Sequence, residues 1–243
     1  MPTPPDPASL YPDVAACGSL GAALRSAADG ILDAVPVLST DLQHAVVPSL
    51  LPHREPFRIS AWSYERRWSI SGTEPFQGLT LVEGRTEDLA DIAGAARAWH
   101  DGAALPDIRR AAPFVHLTGR LEVPGNDPAL LTRSEWLSLR QEAAELESDW
   151  GGAHQALIEA AYAEPALRSL YPFTSHWALR FSATTRPRLT VVGPHLAVTR
   201  DGAYAVGTAM TNQDLGVFTA AKGAVASAVR HLPPGLAPVT LGG

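Results

Sequence analysis

The sequence predicts an α+β protein built from two pseudo-repeated units, each a helix, four strands and a helix, with antiparallel sheets covered by helices on one side. Three observations lead there. Runs that alternate apolar and polar residues cluster twice, at 42–84 and at 176–208, and period-two alternation is the mark of a half-buried strand. Each cluster is preceded and followed by apolar residues at helical spacing. TEDL at 86–89 is answered by NQDL at 212–215, each placed after a strand-like run that ends near glycine. The expected organisation is a flexible tail over 1–12, a first α+β unit over 13–112, and a helical connection plus second α+β unit over 113–243.

In chain order, Val14, Cys17, Leu20, Leu24 and Ile31 recur at helical spacing, which predicts a buried structural thiol at Cys17. Strand-like pieces follow at 42–47, 57–62, 67–72 and 79–84. The stretch 84–102 reads as an amphipathic helix with Thr86 as N-cap, a stripe of Leu89, Ile92, Ala96 and Trp99, and Gly102 as its stop. The second half opens with a helix started by a Thr132–Glu135 capping box, then a helical run from His154 broken at Pro165. Trp136 and Trp150 fall at helical spacing, as core residues do. Strand-like pieces occupy 176–182, 188–193, 195–200 and 203–208, with Asp201-Gly202 as a hairpin turn. A last helix is expected over 211–235, capped by Thr211 and Asp214.

Composition narrows the function classes. At 243 residues with 46% apolar and 18% charged residues, the chain can bury a large core. A formal net charge of −6 lacks the basic footprint of a nucleic-acid-binding protein. No run is long and apolar enough for a membrane span, and the proline-rich start has no signal-peptide pattern, so a cytoplasmic protein is expected. The single cysteine forbids an internal disulfide. Lys222 is the only lysine, so a Schiff-base mechanism would have to use it.

The strand faces supply the candidate ligand-binding residues. Phe57, Ile59 and Ala61 alternate with Arg58, Ser60 and Trp62, and Trp68 and Ile70 alternate with Arg67, Ser69 and Ser71. Trp177, Leu179 and Phe181 should lie under the helices, opposite His176 and Arg180. Arg58, Trp62, Arg67 and Arg180 are therefore expected on the uncovered faces, where guanidinium groups recognise anions and an indole offers a stacking surface. A wet antiparallel face commonly carries arginine and serine without any ligand.

Ser175 and His176 invite a nucleophile–base reading, but neighbours in a strand point to opposite faces and no G-x-S-x-G turn is present. His176 is kept as a lone proton-transfer candidate, with Glu65 as an acid that could serve the same end. The eight histidines show neither H-x-x-x-H nor H-x-H spacing, and no dinucleotide or P-loop glycine motif occurs. Neither a metal nor a cofactor is expected.

Several phrases, TEDLADIAGAARAWHDG, RRAAPFV, EAAYAEPALRSLYPFTSHWALRFS and AVRHLPPGLAPV, resemble an uncharacterised family of mostly actinomycete proteins. Its members are described as natural product biosynthesis proteins and carry a domain of unknown function, family 6193. The resemblance runs from about residue 10 over most of the chain and is most specific at YPFTSHWALRFS. It implies a place in secondary metabolism and assigns no residue roles. Two functions are then open. One is binding of a small anionic pathway intermediate, extending to a cofactor-free cyclase, isomerase or lyase. The other is a non-catalytic partner (chaperone, scaffold or immunity-type) for a protein of the same pathway.

Overall fold

The computed structural model describes residues 4–209 and 212–243. The chain divides into two compact units, Met1–Thr118 and Gly119–Gly243. Both are mixtures of helix with antiparallel sheet. The expected boundary after residue 112 falls inside the first unit, because residues 115–117 form that unit's last strand.

The first unit begins with short helices α1 (Pro7–Leu10), α2 (Pro12–Cys17) and α3 (Leu20–Ala27). Strands β1 (His44–Val47), β2 (Phe57–Ala61), β3 (Trp68–Thr73) and β4 (Thr80–Thr86) follow. Then come α4 (Leu89–His100), α5 (Leu105–Ala111) and β5 (Val115–Leu117). The five strands pair in sequence order, all antiparallel, one more strand than the sequence pattern shows. Alternation in β2 and β3 buries Phe57, Ile59, Trp68 and Ile70 with Leu89, Ile92, Ala96 and Trp99 of α4 in one core. Helix and sheet meet closely at Gly72, where a Cβ would stand 2.5 Å from Trp99 ring carbons. The N-cap of α4 is Asp88; Thr86 supports it, its hydroxyl accepting from the Asp88 N–H and donating to the Asp91 carboxylate.

Two expectations for the start of the chain are corrected. Residues 7–12, assigned to a flexible tail, are largely helical, and Tyr11 is fully buried. Cys17 is exposed. Its helix ends there, because Gly18 turns the chain with φ +82° and Ser19 caps a new helix through its hydroxyl. The single stripe read from spacing is thus two short helices, and the residue at the break loses its place in the core.

The second unit contains α6 (Pro128–Glu145), α7 (Gly151–Ala163) and α8 (Pro165–Arg168). Its strands are β6 (Tyr171–Ser175), β7 (Ala178–Ser182), β8 (Thr184–Pro187), β9 (Val191–Val198), β10 (Tyr204–Gly207) and β11 (Gly216–Phe218). Helix α9 (Ala221–Arg230) and β12 (Thr240–Gly242) complete it. The main sheet has the order β11-β10-β9-β7-β6, and β8 pairs with β12 as a separate parallel pair. Trp136, Leu139, Leu157 and Ile158 of the helices share a core with Leu179, Phe181, Leu196 and Val206 of the sheet.

Local chemistry moves several expected boundaries. Helix α6 starts at Pro128 under an Asp127 cap, since Asp-Pro is a stronger start than the Thr132–Glu135 box. Thr132 instead donates to the Pro128 carbonyl, and Glu135 is buried against Arg120. The stretches 188–193 and 195–200 contribute to one strand, β9. The helix expected over 211–235 is confined to α9, preceded by β11. Asp214 accepts from the Thr208 N–H and hydroxyl rather than capping a helix; Thr211 lies outside the described residues. Trp136 is fully buried, but Trp150 is only half-buried at the start of α7.

Candidate functional site

In the first unit Arg58 lines a groove on the sheet, while Trp62 and Arg67 meet each other beside it. Register places Arg58, Ser71, Glu83 and His116 opposite one another across β2, β3, β4 and β5. The next row on that face is Ser60, Ser69 and Arg85. Cross-strand partners stand about 5 Å apart, so the two rows form a continuous polar surface. They line an open groove of about 430 Å³, with Phe114 at its edge. Gly84 lets Phe114 approach the strand; a Cβ there would meet its ring at 2.9 Å.

Arg58 and Arg85 carry no ion pair among the described residues. Trp62, half-buried just beyond β2, has the Arg67 guanidinium 5.3 Å from its ring centroid and that of Arg85 at 5.1 Å. Such contacts orient an indole and fix both arginines beside it. Arg67 also pairs with Glu65 at 3.2 Å, so Glu65 is a partner of the arginine rather than a separate acid.

The β2–β3 turn holding Trp62 and Arg67 is anchored from the start of the chain. The Tyr11 hydroxyl lies 2.8 Å from the Trp62 carbonyl, 3.0 Å from that of Glu65 and 2.9 Å from that of Arg67. It also accepts from the Arg67 N–H at 3.2 Å. Arg66 makes a bidentate pair with Asp13 at 2.7 and 2.9 Å, and its guanidinium packs 4.7 Å from the Trp68 ring. The hydrogen bond from Arg66 holds the Asp13 carboxyl below its ordinary value. Tyr11, which reads as tail, and Asp13, at the start of the expected first unit, therefore anchor the arginine–tryptophan cluster.

Arg180 and His176 belong to the second unit, and the structure does not bring them together there. Arg180 of β7 is half-buried, its guanidinium 5.8 Å from the Phe173 ring of β6. Burial, and secondly the Arg180 charge, push the His195 imidazole below its usual value. His176 and Trp177 are not strand residues. They form the two-residue turn between β6 and β7, with φ +51° and +65°, and Trp177 is 48% exposed where the alternation placed it in the core. The turn also overturns the argument from adjacency: the Ser175 hydroxyl and His176 Nδ1 do approach, at 3.3 Å.

The second unit also holds a cleft of about 800 Å³ that sequence reasoning missed. Trp136, Tyr162, Leu170, Leu232, Leu236 and Val239 line it, with Arg133 and Arg168 among the lining residues. Trp136 Nε1 donates to the carbonyls of Arg168 and Leu170, leaving its ring as apolar wall. The available signal was the apolar, proline-rich stretch 232–239 following the last helix. Its partners lie roughly 60 to 110 residues away in sequence, and no periodicity links them.

Among the described residues no group of three or more His, Cys, Asp or Glu side chains could hold a metal ion. Nor is any helix among them long and apolar enough to cross a membrane.

Residues 130–243 match a family of unknown function, DUF6193. The matched stretch contains YPFTSHWALRFS and leaves out TEDLADIAGAARAWHDG and RRAAPFV, where resemblance was also expected. No curated protein and no solved structure matches the chain.

Proposed function

We propose that the protein binds a small anionic intermediate of secondary metabolism on the open face of the first sheet. The observation that carries this is the pair of arginines, Arg58 and Arg85, which line a serine-containing groove and have no ion pair among the described residues. Guanidinium forks there engage carboxylate or phosphate, with Trp62 holding Arg85 at the side of the groove. If the bound molecule reacts, Glu83 and His116, opposite one another in register, are the groups able to move a proton. Cyclisation, isomerisation or elimination needs no more than that. The setting in natural product biosynthesis, the actinomycete source and the cytoplasmic location rest on the resemblance and on composition. The shared order of helices, antiparallel sheet and helix supports a common plan for the two units.

A second reading has its own observation. The groove is only partly enclosed, and Trp62 and Arg67 stand beside it rather than within it. An open polar sheet face also suits a protein partner.

One experiment separates the readings. The gene is deleted in a producing strain, then restored as wild type or as Arg58→Ala/Arg85→Ala, with metabolites followed by mass spectrometry. A discrete precursor accumulating in both the deletion and the double variant supports intermediate binding. Loss of product without any precursor favours the protein partner, and an unchanged metabolite profile sinks both.

A further inference from the structure

The turn His176-Trp177 places two consecutive non-glycine residues at positive φ, +51° and +65°. A two-residue hairpin of this kind needs positive φ at both positions, which glycine or asparagine supplies readily. Bulky residues are disfavoured there and persist only where their surroundings hold them. Three rings fix the strained turn. Trp177 packs against Trp150 at 5.0 Å and 74° and against His154 at 5.9 Å and 89°, while Trp150 and His154 meet at 5.4 Å and 77°. His154 is buried, and its Nδ1 has no hydrogen-bond partner among the described residues.

Trp177 nevertheless keeps about half of its surface in water. It borders a recess of about 1040 Å³ built from three neighbouring loops. The β6–β7 tip brings His176 and Trp177, and the β9–β10 tip brings Arg200 and Asp201. The approach to α7 brings Asp149 and Trp150. Strands β7 and β9 are adjacent and antiparallel, which puts both tips at one end of the sheet.

We propose that this recess is a carbohydrate-binding site, with the exposed face of Trp177 as its stacking platform. The polar groups of the lining narrow the ligand class. Asp149 and Asp201 stand with Arg200, so carboxylate acceptors and a guanidinium donor are offered together and a strong anion is not favoured. An uncharged ring with one apolar C–H face and a rim of hydroxyls matches an indole bordered by carboxylate acceptors and guanidinium donors. The site lies in a different unit from the arginine groove and does not depend on it.

The test is titration of the full-length protein, followed by tryptophan fluorescence and saturation-transfer NMR. The probes are methyl glycosides of glucose, galactose, mannose, rhamnose and N-acetylglucosamine, with tetramethylammonium chloride as a cation probe. At least one glycoside is expected to saturate with the wild type. Trp177→Ala and the exposed Arg200→Ala should each weaken it about tenfold or more, the loss of roughly one good contact, and Arg58→Ala should leave it unchanged. The proposal is overturned if no glycoside saturates, if tetramethylammonium alone does, or if binding survives Arg200→Ala and Trp177→Ala unaltered. Because Arg200 is an exposed loop residue, its variant keeps the test decisive should Trp177→Ala disturb folding.

Discussion

The Tyr11 hydroxyl accepts a hydrogen bond from the Arg67 backbone N–H at 3.2 Å, tying the first helices to the turn that presents the arginine–tryptophan cluster. Tyr11→Phe keeps the ring packed 5.4 Å from Trp68 and removes only the oxygen. The change is expected to cost about 1–3 kcal/mol, because carbonyls and an N–H that the hydroxyl served lose a partner. Urea unfolding measures the loss. Amide hydrogen exchange should rise over 62–67 beyond the global change; uniform exchange would show that Tyr11 is not the anchor of that turn.

The Asp13–Arg66 pair gives this anchor a pH dependence. Asp13 has a folded-state pKa below its ordinary value, chiefly through the hydrogen bond from Arg66. Its contribution is therefore present above the ordinary carboxylate value and lost as pH falls through the folded value. Half of the Asp13 side chain is exposed, so the effect is small, under about 1 kcal/mol. The difference in urea midpoint between wild type and Asp13→Asn should shrink on acidification and also in high salt. A difference independent of pH would assign the effect to something other than the ion pair.

Gly72 is where the first sheet and α4 come closest. A methyl group there would sit 2.5 Å from the Trp99 ring. That ring is fully buried, donates to the Glu55 carbonyl at 3.0 Å and has the Arg54 guanidinium 4.5 Å from its centroid. It cannot step aside freely, so Gly72→Ala should destabilise by about 1–3 kcal/mol as an overpacked core does. A lowered urea midpoint with unchanged slope is the expected result.

In the second unit, Arg120 holds Glu135 through hydrogen bonds of 3.1 and 3.2 Å. Burial outweighs this partner and leaves the Glu135 carboxyl above its ordinary value. Ionisation of Glu135 therefore opposes folding, and stability declines as pH rises from the ordinary value through the folded one. Arg120→Ala removes the partner and should cost about 3 kcal/mol at neutral pH, the lower end for a broken buried pair because Arg186 also favours the carboxylate. Below the ordinary carboxylate range Glu135 is protonated in both states, and the loss should be much smaller. An equal loss at both pH values would point to packing rather than charge.

The alternation of β2 and β3 was legible because a half-buried strand writes its two faces directly into the sequence. That put Arg58 on the open face and Phe57, Ile59, Trp68 and Ile70 in the core. The same rule misplaced Trp177 and His176, since Tyr171–Ser175 was itself a strand and the pair became its turn. Arg85, Glu83 and His116 were missed for another reason. Their membership of the groove depends on register between strands, and β5 is too short to leave a pattern.

The amino-acid sequence by itself determined the α+β character, the principal amphipathic helices and which residues of the clearer strands face water. Those properties follow from periodicities of two and 3.6 residues, which are local. Only the tertiary structure decided that Tyr11 anchors the 62–67 turn, that Arg58 and Arg85 share a groove, and that Trp150 and Trp177 meet. Each of these joins residues far apart in the chain, and such contacts are selected by packing and register among many alternatives of similar local preference.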